Sequence, residues 1–145
     1  MLKVPAPMHA TDGGRPFTKS DWVYEIKYDG YRCMAVIERA GVHLFTKNGH
    51  DCTHAYPEVV KALQLVGGGP HIVDGEICTL TEGGFSDFNL LHAQRGIHKP
   101  RRGAPPVTYC AFDLLLHDGH DITGLALEER KARLEHLLKQ LPKIA

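Results

Sequence analysis

The sequence predicts an α+β fold in which antiparallel sheets carry flanking helices. Three observations support this class. Apolar residues alternate with a period of two in several short stretches, the links between these stretches are short, and one late segment has the period of an amphipathic helix. The chain has 145 residues, of which 43% are hydrophobic and 23% charged, with 15 glycines and 9 prolines. This composition is typical of one globular domain with many turns.

The charge balance and the cysteine usage exclude several classes of protein. Lys plus Arg and Asp plus Glu both number 17, so bulk positive charge does not attach this chain to nucleic acid. No apolar stretch has the length of a membrane span, and the N-terminus lacks the apolar middle region of a signal peptide, so we expect no membrane partner. The scattered cysteines then indicate reduced thiols in a cytoplasmic protein; they are Cys33, Cys52, Cys78 and Cys110.

Elements of the first part of the chain are predicted from alternation and from Pro and Gly. Residues 1–20 are rich in both and predict an extended lead-in on the surface. Alternating apolar residues over 22–28 predict a first strand, which an Asp-Gly turn at 29–30 ends. A second strand through 33–37 and a third over 42–45 follow at short spacing. This spacing implies antiparallel pairing, because a parallel crossover needs about a dozen residues or more.

Helices and strands alternate in the middle of the chain. A proline at the first turn predicts a helix over 57–65, and the glycine run after it ends the helix. Residues 71–80 predict a strand that the Asp-Gly-Glu sequence at 74–76 interrupts. Ser86 is a candidate N-cap for a short helix that follows and ends near residue 94.

The last third begins with a basic stretch over 96–106, which its prolines and glycines predict to be an exposed loop. An apolar strand is predicted over 107–116, and an Asp-Gly pair at 118–119 predicts a hairpin with a short return strand near Ile122. A helix is predicted over 128–141. Its apolar face carries Leu127, Leu134, Leu137, Leu138 and Leu141.

The most informative local feature is the sequence Lys-Tyr-Asp-Gly-Tyr-Arg at 27–32. It places Lys27 at the end of a predicted strand, before a glycine turn and close to other charges. A lysine that is partly desolvated in such a setting loses its proton more easily and acts as a nucleophile. Arg32 suits a phosphate, because its planar guanidinium matches the phosphate oxygens. On residue types alone, a solvated surface turn explains the same pattern.

This hexapeptide resembles the lysine motif of the covalent nucleotidyltransferases, which include ATP-dependent DNA ligases, RNA ligases and mRNA capping enzymes. Further matches follow in the family's order. Thr-Lys-Asn-Gly at 46–49 resembles its Ser-Arg-Asn-Gly segment, and Asp-Gly-Glu at 74–76 resembles its motif of that sequence. Residues 109–115 resemble the strand whose aromatic side chain stacks on adenine. The resemblance therefore implies a partial covalent-nucleotidyltransferase (ATP-grasp-like) fold.

Within this family, the chain is most similar to the ligase domain of bacterial end-joining DNA ligases. Residues 22–32 carry this similarity together with Asp51, Thr53 and Pro57, and the likeness extends over about residues 8–138. It implies that the substrate is nicked double-stranded DNA, sealed with ATP and Mg²⁺ or Mn²⁺ in DNA repair and recombination. Lysine adenylation comes first, followed by transfer of AMP to a 5′-phosphate and attack by the 3′-hydroxyl.

The resemblance also assigns roles to individual side chains. Lys27 attacks the α-phosphorus of ATP and expels pyrophosphate, while a divalent metal and nearby cations stabilise the developing charge. Glu76 binds the ribose or the metal, and Asp74, two positions earlier on the same strand face, is the second candidate metal ligand. The remaining nucleotide-binding roles are the base for Glu25, adenine stacking for Phe112, the ribose and phosphate for Arg32, and a phosphate for Lys47 in place of the family's arginine.

The chain also departs from the family pattern. A Glu-Gly-hydrophobic strand, a Lys-x-Lys strand and an OB domain are expected after the last helix and are not found, so residues 21–145 are interpreted as the N-terminal part of an adenylation domain. The Phe-x-x-Leu-Gln-x-Arg pattern is altered at 88–94, with Arg95 one place late. We therefore expect the chain alone to seal nicks weakly or not at all. A dimer, or a complementing subunit that supplies the missing half, is expected.

Several alternatives remain open from the sequence. A non-catalytic remnant that binds nucleotide, DNA or a partner would keep the same motifs, and a capping-type enzyme would use GTP. The spacing of His50, Cys52 and His54 fits either metal ligands or a polar loop, and the His-Asp-Gly-His sequence at 117–120 is a weaker metal candidate. The basic loop fits either a contact with the DNA phosphate backbone or simple solvation. Its basic residues are His98, Lys99, Arg101 and Arg102.

Overall fold

The computed structural model describes residues 2–95, 106–139 and 141. This part of the chain forms one antiparallel five-stranded sheet, with strand order β2-β1-β3-β4-β5. The strands are β1 (Tyr31–Glu38), β2 (Gly41–Thr46), β3 (His71–Thr79), β4 (Val107–His117) and β5 (His120–Asp121). The helices are α1 (Pro57–Leu63), α2 (Phe88–Arg95) and α3 (Leu127–Leu138), with a short 3-10 turn at Thr53–Ala55.

The two faces of the sheet are covered differently. Alternate residues of β1 enter the main core, where side chains from all three helices meet the sheet. The helices contribute buried residues that include Val59, Leu63, Leu91, Leu134 and Leu137. The opposite face carries a smaller cluster of Met34, Val36, Phe45 and Ile72, against which Leu2 and Val4 pack. All the described helices therefore lie on one face of the sheet, and the other face is available for a site.

Most of the predicted elements are confirmed. The strands predicted over 33–37, 42–45 and 107–116 are present, and the Asp-Gly turn connects β4 to β5 as a hairpin. Helix α1 ends at Leu63, two residues before the end of the predicted range 57–65. Helix α3 spans Leu127–Leu138, where the sequence predicts 128–141. No helix in the described part of the chain is long and apolar enough to cross a membrane.

The strand predicted over 22–28 is wrong. Within the described residues these positions belong to no strand, and Trp22, Val23, Tyr24 and Ile26 are all exposed, so the alternation does not separate a buried face from a solvated one. The physical reason lies in the sheet order. β1 is paired on both sides, with β2 and β3, so the segment that leads into it finds no free sheet edge beside it.

Two further predictions are corrected at the local level. The Asp-Gly-Glu sequence does not interrupt β3, which is continuous over His71–Thr79; Gly75 does not adopt a positive φ. Ser86 is not the N-cap of α2. The Asp87 side chain takes that role, because its Oδ1 accepts a hydrogen bond from Leu90 N–H at 2.9 Å. Of the predicted loop at 96–106, all but residue 106 lie outside the described residues.

Candidate active site

The candidate site lies on the sheet face opposite the helices. Arg32 is near the start of β1 and is paired in register with Glu76 on β3, while Asp74 is paired with Met34. Asp74 and Glu76 are two positions apart, so their side chains share a face of the strand. The antiparallel register therefore brings two of the sequence motifs together, although 42 positions separate Arg32 from Asp74.

Arg32 and Asp74 form a two-pronged ion pair. The Arg32 Nε donates to Asp74 Oδ1 at 2.6 Å and Nη2 donates to Oδ2 at 2.7 Å. Only 5% of the Asp74 side chain and 27% of the Arg32 side chain are exposed. The hydrogen bond to Asp74 raises the pKa of Arg32 against the opposing effect of burial. The pair therefore fixes a permanent positive charge in one orientation on this face.

Phe112 packs against that positive charge because of a bulge in β4. Asp74 is paired with Asp113 but the next residue, Gly75, is paired with Ala111, so Phe112 is the unpaired extra residue. The central carbon of the Arg32 guanidinium lies 4.7 Å from the centroid of the Phe112 ring. The guanidinium therefore lies over one face of the Phe112 ring, and these two groups are of the kinds that bind a phosphate and a base.

Glu76 is the acidic group nearest to the lysine segment. Its Oε1 accepts a hydrogen bond from Gly30 N–H at 3.2 Å. Burial raises the pKa of Glu76, and the Gly30 hydrogen bond and the charges of Arg32 and Lys27 oppose that rise. Lys27 is thus within electrostatic range of this carboxyl group. A half-buried carboxyl group with a shifted pKa, near the charge of a lysine, marks a candidate functional site.

Lys27 and Lys47 are both exposed. Lys47 lies in a turn closed by the hydrogen bond from Gly49 N–H to Thr46 O at 2.8 Å. This turn and the start of β1 line a depression of about 270 Å³, to which Gly30 and Arg32 also contribute. The structure therefore brings the 46–49 segment to the lysine motif.

The contacts that three side chains make at this site are not predicted from the sequence. Lys131 of α3 donates from Nζ to Phe112 O at 3.0 Å, and the same Nζ lies 2.5 Å from Glu25 Oε1. Ser86 Oγ accepts from Asp29 N–H at 2.9 Å. The Tyr109 hydroxyl donates to the carbonyls of Cys33 and Val73, each at 3.0 Å. Each of these contacts joins residues far apart in sequence, so local periodicity does not reveal them.

The hypothesis that His50, Cys52 and His54 bind a metal ion is not supported. Cys52 is buried in the main core while His50 and His54 are exposed, so the three side chains do not converge. In the described residues there is no group of three His, Cys, Asp or Glu side chains placed to hold a metal ion. The 117–120 segment is the hairpin turn, with φ values of 47° at Asp118 and 80° at Gly119. Lys99, Arg101 and Arg102, with His98, lie outside the described residues.

Comparison with known proteins identifies the family to which this fold belongs. The model of the family described as ATP dependent DNA ligase domain matches residues 3–145, and the chain belongs to that family. It is 44% identical over 121 residues to the multifunctional non-homologous end joining protein LigD of Pseudomonas aeruginosa, covering 83% of this chain and 14% of that protein. It is 34% identical over 131 residues to a DNA ligase of Pyrobaculum neutrophilum, covering 85% of this chain and 22% of the relative.

Solved structures give the same result at the level of the fold. The ligase domain of M. tuberculosis LigD superposes with a TM-score of 0.69 at 27% identity, covering 81% of this chain and 37% of that one. A mycobacterial DNA ligase D complexed with ATP and MES has the same TM-score and identity. The α+β prediction and the family resemblance are thereby confirmed. The chain spans about a fifth or less of the length of the curated relatives above, and just over a third of the solved ligase chains.

Proposed function

We propose that this chain carries the ATP-binding and lysine-bearing part of a DNA ligase adenylation domain. In the proposed reaction the Lys27 amine attacks the α-phosphorus of ATP, the bond to the β-phosphate oxygen breaks, and pyrophosphate leaves. The amine loses a proton and AMP is held by a phosphorus–nitrogen bond. The observation that carries this proposal is the convergence of the Lys27 segment, Glu76 and the Arg32–Phe112 pair on one face of the sheet.

The described contacts support distinct roles around the nucleotide. Phe112 offers a flat ring for the adenine base. Lys131 Nζ contacts both the Phe112 carbonyl and the Glu25 carboxylate, so Glu25 lies near Phe112 and is proposed to contact the same base. Arg32 is held rigidly by Asp74 and offers its remaining donor, Nη1, to the ribose and phosphate side. Lys47, which lines the same depression as Arg32, supplies a point charge for a phosphate.

The carboxylates differ in their fitness to hold Mg²⁺. Both oxygens of Asp74 accept hydrogen bonds from Arg32, so we propose that Asp74 positions Arg32 rather than binding metal. Glu76 uses Oε1 for Gly30 N–H, and its Oε2 has no hydrogen bond among the described contacts. Mg²⁺ is commonly held by one or two carboxylates together with substrate phosphates. Glu76 therefore fits as one ligand of Mg²⁺ or Mn²⁺, and the bound ion would neutralise phosphate charge.

The proposed macromolecular substrate is nicked double-stranded DNA in the cytoplasm, sealed during end-joining repair. This rests on family membership and on the LigD relatives, which are end-joining proteins by name. Lys99, Arg101 and Arg102 are proposed to contact the DNA phosphate backbone, which predicts salt-sensitive binding without sequence preference. A partner, either a second copy of this chain or a complementing subunit, is proposed to cover the sheet face that carries Met34, Val36, Phe45 and Ile72.

Covalent labelling tests the proposal directly. The 145-residue chain is incubated with ATP labelled at the α-phosphate and with Mg²⁺, and acid-stable and acid-labile label is measured on the denatured protein. A phosphorus–nitrogen bond predicts label that is lost in acid and absent from Lys27→Ala. Lys61→Ala is the matched control, because Lys61 is an exposed lysine of α1 on the helical face. Label that persists in Lys27→Ala would contradict the proposal.

Two other outcomes assign the alternative functions. ATP that binds at equilibrium without covalent label indicates a binding module that has lost catalysis. Label from GTP in preference to ATP indicates a capping-type nucleotidyltransferase. Nick closure on a duplex with one labelled 5′-phosphate measures the complete reaction, and we expect the chain alone to close nicks weakly or not at all.

A further inference from the structure

The segment that carries Lys27 is held in place by side chains instead of a strand ladder. Among the described residues, 22–29 belong to no strand, and the backbone hydrogen bond that they make outside regular elements is Trp22 N–H to Lys19 O, at 3.4 Å. Contacts from other parts of the chain reach Glu25, Asp29 and Gly30. Two of these residues flank Lys27 symmetrically, two positions before it and two positions after it.

The contact before Lys27 comes from helix α3. Lys131 Nζ bridges the Glu25 carboxylate and the Phe112 carbonyl. The Phe112 carbonyl belongs to the bulge residue of β4, which is left out of the strand pairing. One amine therefore ties the lysine segment to the residue that packs on Arg32.

Helix α3, which carries Lys131, is anchored to β4 by the neighbouring Arg130. Arg130, the neighbour of Lys131, donates to both carboxylate oxygens of Asp113, at 2.8 and 2.9 Å, and to Leu125 O at 2.6 Å. The Arg130 and Asp113 side chains are only 10% and 12% exposed. Leu134 and Leu137 bury the next turns of the helix in the main core. Lys131 therefore projects from a helix whose position relative to β4 is fixed.

The contact after Lys27 comes from the turn before α2. Ser86 forms an isolated bridge with Leu80, and Asp87 N–H donates to Thr79 O at 2.9 Å, so the backbone at this point is tied to the end of β3. Ser86 Oγ then accepts from Asp29 N–H. Ser86 does not cap α2, so its hydroxyl oxygen accepts the hydrogen bond from the backbone N–H two residues after Lys27.

We infer that Lys131 and Ser86 are positioning residues for Lys27, which hold its segment in the geometry needed for attack on the nucleotide. The inference rests on the proposed function and goes beyond it by naming residues outside the lysine, Asp-Gly-Glu and aromatic-strand motifs. Reaction rates are sensitive to displacements of about 1 Å, which cost on the order of 100-fold. Loss of either contact lengthens the stretch of backbone that moves freely around Lys27.

The test compares Lys131→Met and Ser86→Ala with two controls. Lys139→Met removes the lysine that follows α3 and pairs with Glu135, both side chains being 68% exposed. Ser20→Ala removes an exposed serine near the start of the segment. The first readout is the rate of trypsin cleavage after Lys27, measured by mass spectrometry without nucleotide. The second is the rate of Lys27 adenylation as a function of ATP concentration.

We expect faster cleavage after Lys27 in Lys131→Met and Ser86→Ala, with the controls equal to the wild type. Adenylation should slow about 10- to 100-fold at saturating ATP, with a smaller change in KM, because the defect lies in placing the nucleophile. Lys131→Arg should restore part of the rate, because a guanidinium can still reach both acceptors. Thermal midpoints separate these effects from global unfolding.

Equal cleavage in both variants and the wild type would overturn the inference, as would a rate loss that appears only as a higher KM. If Lys131→Met lowers the thermal midpoint too far for comparison, Ser86→Ala decides the question by itself. If the wild type takes no label at all, the proposed function fails while the cleavage rates still decide whether the two residues hold the segment.

Discussion

A Cβ atom on Gly75 would lie 2.6 Å from Cζ of the Tyr109 ring, which is closer than real Cβ atoms approach a neighbour. Tyr109 occupies this position because its hydroxyl donates to two carbonyls, one on β1 and one on β3. The glycine between Asp74 and Glu76 is therefore required by packing and not by a turn. It allows an aromatic ring to lie across the strand, directly behind the two carboxylates.

Gly75→Ala is expected to lower the free energy of unfolding by about 1–3 kcal/mol, because overpacking forces the Tyr109 ring or the strand to move. Urea denaturation measures the difference. Gly124→Ala is the matched control, because a Cβ at Gly124 meets nothing within 4 Å. Equal losses in the two variants would contradict the packing explanation.

Asp74→Ala is expected to cost about 2–4 kcal/mol, since it leaves the partly buried Arg32 guanidinium without its partner. Glu129→Ala removes the partner of Arg133 in an exposed pair on α3 and should cost less than about 0.5 kcal/mol. Chemical denaturation at neutral pH compares the two. A double-variant cycle with Arg32→Met isolates the coupling, and a coupling near zero would show that the two side chains stabilise the fold independently.

Glu76→Gln should stabilise the protein at neutral pH. Burial raises the pKa of Glu76 in the folded state, so the folded protein binds this proton more tightly than the unfolded chain does. The stabilising contribution of Glu76 is then complete below its unfolded pKa and is lost as the pH rises through the folded value. The advantage of Glu76→Gln should therefore grow in urea titrations as the pH rises from about 4, near the unfolded pKa, through the raised folded pKa. An advantage that stays constant with pH would contradict the assignment.

Cys110 should be alkylated before the other three cysteines. It is half-buried while Cys33, Cys52 and Cys78 are buried, and its hydrogen bond with Cys78 lowers the pKa of Cys110 while burial opposes the shift. The same hydrogen bond, with burial, raises the pKa of Cys78. Peptide mapping after brief iodoacetamide treatment identifies the modified thiol. First reaction at Cys52 or Cys33 would be inconsistent with the described burial.

Sequence reasoning recovers the parts of this molecule that local chemistry determines. Alternation and short turns identify β1 and β2, and a largely apolar stretch identifies β4. The Asp-Gly pair identifies the hairpin, and leucine spacing identifies α3. The same alternation fails at 22–28, because a period of two indicates an extended backbone and does not guarantee a neighbouring strand. The Asp-Gly-Glu sequence fails as a turn signal for a related reason: a glycine is also needed where a side chain from the next strand crosses over.

The features of the candidate site fall into the same two groups, those that local sequence identifies and those that depend on tertiary structure. Lys27, Arg32, Glu76 and Phe112 are identified from motifs, and their roles remain predictions. The bidentate use of Asp74 by Arg32 depends on strand register, and the contacts of Lys131 depend on where a helix packs. Register and packing are tertiary properties, so no short window of residues contains them.

The bridge from Lys131 to Glu25 and Phe112 also has a consequence for the order in which the nascent polypeptide matures. Chains fold from the N-terminus as they leave the ribosome. Lys27 emerges early, whereas helix α3, whose Lys131 pairs with Glu25, is translated later. Under the proposed function, a growing chain that already exposes Lys27 therefore stays unready for ATP until helix α3 has docked.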